Sequence, residues 1–214
     1  MTLWQTNRTM NLNPKYVTFR GPPITDSEIL ARLPQDLQQL LAGVNGFIMF
    51  DGGLHVRGAC LEPEWHSLRK VWEGELALSL LYPVVRSEDV PFGEDCMGDQ
   101  FILREGIVHR LAAETGQLSS LGAGLFDFLD EAQKSPIEYL CLHPLVQFQR
   151  ERGHFISPGE LLDANPFFCM AESGAGVHLE AVPALRRLSF LAHVAGQISK
   201  LPDGAKIQFK FVNK

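Results

Sequence analysis

Apolar residues recur every three or four positions from Ile29 to Leu41: Ile29, Leu30, Leu33, Leu37, Leu40 and Leu41, the period of a helix with one buried face. Thr25 with Glu28 reads as a capping box, and Pro34, which starts helices but does not continue them, divides the run into two. Asn45-Gly46 supplies the stop. Two short strand-like segments, 47–50 and 54–57, flank Asp51-Gly52-Gly53, a turn that tolerates positive φ, which predicts a hairpin. Over 64–81 the spacing of Trp65, Leu68, Val71, Trp72 and Leu76 predicts a helix with both tryptophans on nearly one face and Gly74 as a break.

Short strands follow, at 82–85 or 90–92, then at 100–103 and 107–111, joined by glycine-containing turns as in an antiparallel meander. Leu125, Phe126, Phe128 and Leu129 mark another helix, and 141–176, punctuated by Pro144 and Pro158, shows no clear period. A strand over 176–182, an amphipathic helix over 183–201 and a strand over 205–212, alternating Ile207, Phe209 and Phe211, close the chain. Residues 1–24 read as an irregular lead-in with an edge strand near Tyr16 to Phe19. This order predicts an α+β fold with a mixed, largely antiparallel sheet flanked by helices. It divides the chain into the lead-in, a core at 25–132, and an extension at 133–214 that ends strand-helix-strand and packs on the same core.

Hydrophobic residues make up 45% of the 214 and charged residues 21%, enough apolar surface to offset the entropy of ordering one globular core. The longest nearly apolar stretch, 76–85, is far shorter than the ~20 residues of a membrane span. The polar N-terminus lacks the apolar core of a secretory signal, so the expected location is the cytoplasm. The net charge of −6 disfavours nucleic acid as partner. Cys60, Cys96, Cys141 and Cys169 lack metal-site spacing and read as reduced thiols.

Signatures of familiar chemistry are missing: there is no GxSxG elbow, no P-loop, no GxGxxG and no HExxH. None of the seven histidines acquires a role from its spacing, and neither a catalytic residue, a metal site nor a cofactor is assigned. Glu94, Asp95 and Asp99 share one turn, where carboxylates can raise one another's pKa or chelate a cation. Their spacing does not fit a calcium loop, and acids between strands usually face solvent. Trp65 and Trp72 offer either an interface anchor or core packing.

The segments LPQDLQQLLAGVNGFIMFDGGLHVRG at 33–58, PFGEDCMGDQFIL at 91–103 and GIVHRL at 106–111 together resemble the SUKH superfamily over about residues 28–132. The matching motif positions are Gly46 at the end of the early helix, Trp65, Tyr82, and Phe92, Asp95, Gly98, Asp99 and Phe101 in the turn. The resemblance implies a protein-binding module without catalytic activity: an immunity protein that neutralises a toxin domain, or a regulatory scaffold. On that reading Glu88, Asp89, Glu94, Asp95 and Asp99 are candidate partner contacts. A metal-assisted hydrolase using the carboxylates at 94–99 is the reading from another class.

Overall fold

The computed structural model describes residues 12–202, 204 and 205. Its centre is a seven-stranded meander, β1 (Val17–Arg20), β2 (Phe47–Met49), β3 (Leu54–Val56), β4 (Val90–Asp95), β5 (Gln100–Arg104), β6 (Ile107–Ala112) and β7 (Gln117–Ser120), paired in chain order. Every pairing in it is antiparallel, and the parallel element of the expected mixed sheet is limited to an isolated bridge between Gly58 and Ser67. The helices are α1 (Ser27–Arg32), α2 (Gln35–Gly43), α3 (Leu68–Trp72), α4 (Leu78–Leu81), α5 (Leu125–Lys134), α6 (Pro136–Tyr139), α7 (His143–Arg152) and α8 (Ala184–Ile198). β8 (Glu160–Asn165) and β9 (His178–Pro183) form a separate antiparallel pair. The fold is α+β.

Each face of the sheet has its own cover. Phe47, Met49, Leu54, Val56, Phe101 and Leu103 alternate along their strands onto one face, where they join Leu37, Leu41, Phe128 and Leu129 of α2 and α5 in the largest core. The same core takes in Leu140, Leu145, Phe148, Leu162 and Leu179, so residues beyond 132 complete it. Ile102 and Leu111, on the opposite face, pack with Tyr82 and with Leu188 and Ala192 of α8. β4, at the middle of the meander, is therefore buried at all six positions.

Local chemistry explains where the elements depart from the sequence pattern. The cap of α1 is Asp26, whose carboxylate accepts from Ile29 N at 3.1 Å, while Thr25 turns away to accept from Leu61 N. The helix expected over 64–81 divides into a 3-10 turn at Glu64–His66, α3 and α4. Backbone pairing is the reason: Gly58 N donates to His66 O at 2.9 Å and Leu68 N to Gly58 O at 3.0 Å, which holds Ser67 extended, and Gly74 at φ +92° then separates α3 from α4. Trp65 and Trp72 consequently share no face. Trp65 packs on Phe19, His55 and His66, and Trp72 lies under Arg32 with Nε1 donating to Ser87 O. β7 and β8 are elements that the pattern did not reveal, and Pro144 starts α7 instead of interrupting it. The strand expected over 205–212 lies, beyond Ala205, outside the described residues.

Gly46 adopts φ +76°, and a Cβ there would stand 2.6 Å from both Val56 O and His66 Cε1. Gly46→Ala is expected to cost about 1–2 kcal/mol from the left-handed backbone alone, with the overlap adding to it. Gly43→Ala, at a helical position open to solvent, is expected to gain roughly 0.5 kcal/mol. Urea denaturation of the two variants checks the opposite signs.

Candidate functional site

The cross-strand register builds a polar stripe on one face of the sheet. His55 of β3 pairs with Glu94 of β4, and Glu94 with Gln100 of β5. Arg57, two residues beyond His55, points the same way. Glu94 is 2% exposed, and both its oxygens are engaged. Oε2 accepts from Arg57 Nη2 at 2.7 Å and from Gln100 Nε2 at 3.0 Å, while Oε1 faces His55 Nδ1 at 3.0 Å. Burial pushes the Glu94 carboxyl upward, but the charge of Arg57 and the bond with His55 prevail and hold it down at about 2. Arg57 also donates to Pro91 O and Gln100 Oε1, and its Nε is buried without an acceptor among the described residues.

The stripe continues as a chain of two imidazoles. His55 Nε2 lies 2.8 Å from His66 Nδ1, and His66 Nε2 lies 2.9 Å from Asn45 O. Gly21, Gly46 and Gly58 surround His66, and a side chain on any of them would run into the ring. Glu94 to His55, His55 to His66 and His66 to Asn45 O are three hydrogen bonds and need three protons, whereas two neutral imidazoles hold two. Burial opposes the third proton, lowering His66 to about 4 and His55 in the same direction. At neutral pH, His55 Nδ1–H serves the Glu94 carboxylate, and the single N–H of His66 meets either His55 or Asn45, not both. This histidine pair carries the polar centre of the fold. Its positions had no distinguishing spacing, and the one trace in the sequence is the glycine beside each of the three approaches to His66.

The acids of the 94–99 turn are also matched internally. Asp95, 1% exposed, accepts from Met97 N, Asp99 N and Arg110 Nη2, the last at 2.7 Å. Asp99, half-buried, accepts from Arg110 Nε at 2.9 Å and from Ala113 N. Burial, then the charge of Asp99, pushes Asp95 upward against the pull of Arg110. Asp89, 1% exposed, receives both Nε and Nη2 of Arg104. Asp95 and Asp99 do not stand free in solvent as acids between strands usually do, because the extension packs on their end of the sheet: Leu162 N donates to Cys96 O at 2.8 Å. Of the five acids named as partner contacts, only Glu88 stands exposed. Phe92 and Phe101 pack on Phe128, Gly98 takes φ +92°, and the Tyr82 hydroxyl donates to Ala113 O from inside the second core.

A cleft of about 180 Å³ opens above the stripe. Thr18, Ile48, His55 and Glu94 form its floor, and the segment from Phe155 to Leu161 together with Ala184 forms one wall. The hairpin turn forms the other. Phe50 and Asp51 both adopt φ +56°, confirming the positive-φ turn expected at Asp51-Gly52 and extending it to a phenylalanine, for which that region is strained. Gly52 lies against Ile156 and Gly159 against Trp65, each too close for a Cβ. All four cysteines are free, Cys60 and Cys96 buried and Cys141 and Cys169 exposed. No group of three His, Cys, Asp or Glu among the described residues is placed to hold a metal ion, and no described helix is long and apolar enough to cross a membrane.

No protein-family model matches the chain, and no curated protein matches it. A solved structure, Atu4351 from Agrobacterium tumefaciens, is similar to it with 12% sequence identity and a TM-score of 0.49, over 83% of this chain and 85% of that one.

Removing one member of the central pair strands the other in the core. Glu94→Ala is expected to destabilise by about 3–5 kcal/mol, read as a lower urea midpoint. A second test concerns His66. Its folded value lies below the 6.5 of the unfolded chain, so stability present above pH 6.5 is lost as pH falls towards 4. The loss is on the order of 3 kcal/mol, and His66→Gln should shrink the pH 7 to pH 4 difference by that amount; an undiminished difference assigns the titration elsewhere.

Proposed function

We propose that this protein is a non-enzymatic binding module of the immunity type, which occupies the working surface of a toxin domain in the cytoplasm. The observation that carries this reading is Phe155. Its ring is 58% exposed at the mouth of a concave cleft, and a large aromatic left in water beside a cleft has the character of an interface anchor. The resemblance of residues 28–132 to the SUKH superfamily supports the same reading. The net charge of −6 suits a basic partner such as a nuclease, whose encounter it would accelerate.

The competing reading, a metal-assisted hydrolase, needs free carboxylate oxygens at 94–99. There the oxygens accept from Arg57, Arg110, Gln100 and backbone amides, which favours a scaffolding role for the turn.

The test is co-expression with the toxin domain encoded beside this chain, followed by calorimetric titration of the purified pair. A complex is expected, and Phe155→Ala should weaken it about 10- to 100-fold while leaving the melting temperature unchanged, because the ring is exposed. Failure to form a complex overturns the immunity reading; undiminished affinity of the variant overturns the role of Phe155.

A further inference from the structure

Every fully buried carboxylate among the described residues is matched to an arginine: Asp26 to Arg69, Asp89 to Arg104, Glu94 to Arg57 and Asp95 to Arg110. The cleft holds two less buried acids that lack such a match. Asp51 and Glu160, both half-buried in its walls, have no cationic partner among the described residues, and no described lysine or arginine lines the cleft. One Glu160 oxygen accepts from Ser157 N at 3.0 Å, and Asp51 is held at the rim by its left-handed backbone. The exposed Phe155 ring supplies a flat apolar surface in the same cleft.

We propose that the cleft accepts one arginine side chain of the protein partner, its N–H groups meeting Asp51 and Glu160 and its planar face lying on Phe155. This rests on the protein-binding reading for the source of the arginine, not for the chemistry of the cleft. A guanidinium fits better than an ammonium for two reasons. Its fork donates to two carboxylates from one plane, and its weak hydration lets it leave water for an aromatic surface. The cleft would then be completed across the interface by the same acid–arginine pairing that the fold uses inside.

The experiment titrates the full-length protein with N-acetyl-arginine-methylamide, followed by backbone amide shifts, beside the lysine and citrulline analogues. Saturable shifts are expected at Gly52, Ser157 and Gly159 with the arginine compound, at least tenfold weaker with lysine and absent with citrulline, which keeps the shape without the charge. Asp51→Asn with Glu160→Gln should weaken arginine binding at least tenfold. The doubly substituted protein should fold, since Asn tolerates the left-handed region and Gln still accepts from Ser157 N. Equal binding of citrulline or lysine, shifts elsewhere, or no effect of the double substitution overturns the proposal. The double variant should also bind the toxin domain at least tenfold more weakly. Native affinity there, with Phe155→Ala still impaired, overturns the anchor and leaves protein binding standing. Arginine binding in the cleft without any toxin complex overturns the protein partner and leaves the arginine specificity standing.

Discussion

The ion pair between Glu94 and Arg57 is the constraint to which much of the architecture answers. A carboxylate in the middle strand of a sheet covered on both faces is tolerated only when a cation and further donors meet it there. Arg57 can do so because β3 and β4 run antiparallel in a register that sets His55 opposite Glu94 and leaves Arg57 two residues away on the same face. Gln100 arrives from β5 in the same way. A one-residue slip of either pairing would turn its side chains to the other face and strand the charge, so the polar stripe specifies the register of three strands. The hydrophobic faces alone would specify it less strictly, since β4 is buried on both.

The same pair sets the electrostatic condition of the two histidines behind it. With Glu94 held as an anion, His55 must present Nδ1–H to it, and the proton shortage passes to His66, whose single N–H serves either His55 or Asn45. Three glycine backbones press on that imidazole, so it cannot rotate away to find another partner. Close backbone approach at Gly21, Gly46 and Gly58 is thus part of the electrostatic arrangement and not only of the turn geometry: it keeps the second ring in line with the first.

Much of the frame was legible in the residues. The helical spacing from Ile29 to Leu41, the hairpin at Asp51-Gly52, the turn between Phe92 and Phe101, and the α8 stripe all rest on local chemistry or simple periodicity, and each stands where the pattern places it. The split of the 64–81 helix was not legible, because it follows from the pairing of Gly58 with residues 66–68, a contact between segments. β7 escaped notice since its residues, QLSS, are mostly exposed and carry no alternation. The acids of the turn were visible as a cluster, but their burial was not: it depends on Arg57 and Arg110 arriving from elsewhere in the sheet and on a cover supplied from beyond residue 132. The histidine pair was invisible for the same reason, its members being eleven residues apart and joined by the fold.

The division of labour between the two parts of the chain follows from that cover. The meander supplies a floor whose charges are internally matched, and the segment from Phe155 to Leu161 supplies a wall in which Ile156 and Leu161 are buried and the Phe155 ring is exposed. Within the wall, Ile156, Gly159 and Leu161 are fixed by packing on Gly52, Trp65 and the core, which leaves Phe155, Ser157 and Pro158 as its exposed positions. Strain of the kind held at Phe50 and Asp51 persists only where surrounding structure over-determines it, and here the over-determination comes from the β2–β3 pairing, the Phe50 contact with Tyr16 and the closeness of Gly52 to Ile156. Of the two unmatched carboxylates, Asp51 therefore sits on the most firmly held turn of the cleft, while Glu160 faces the cleft from the start of β8.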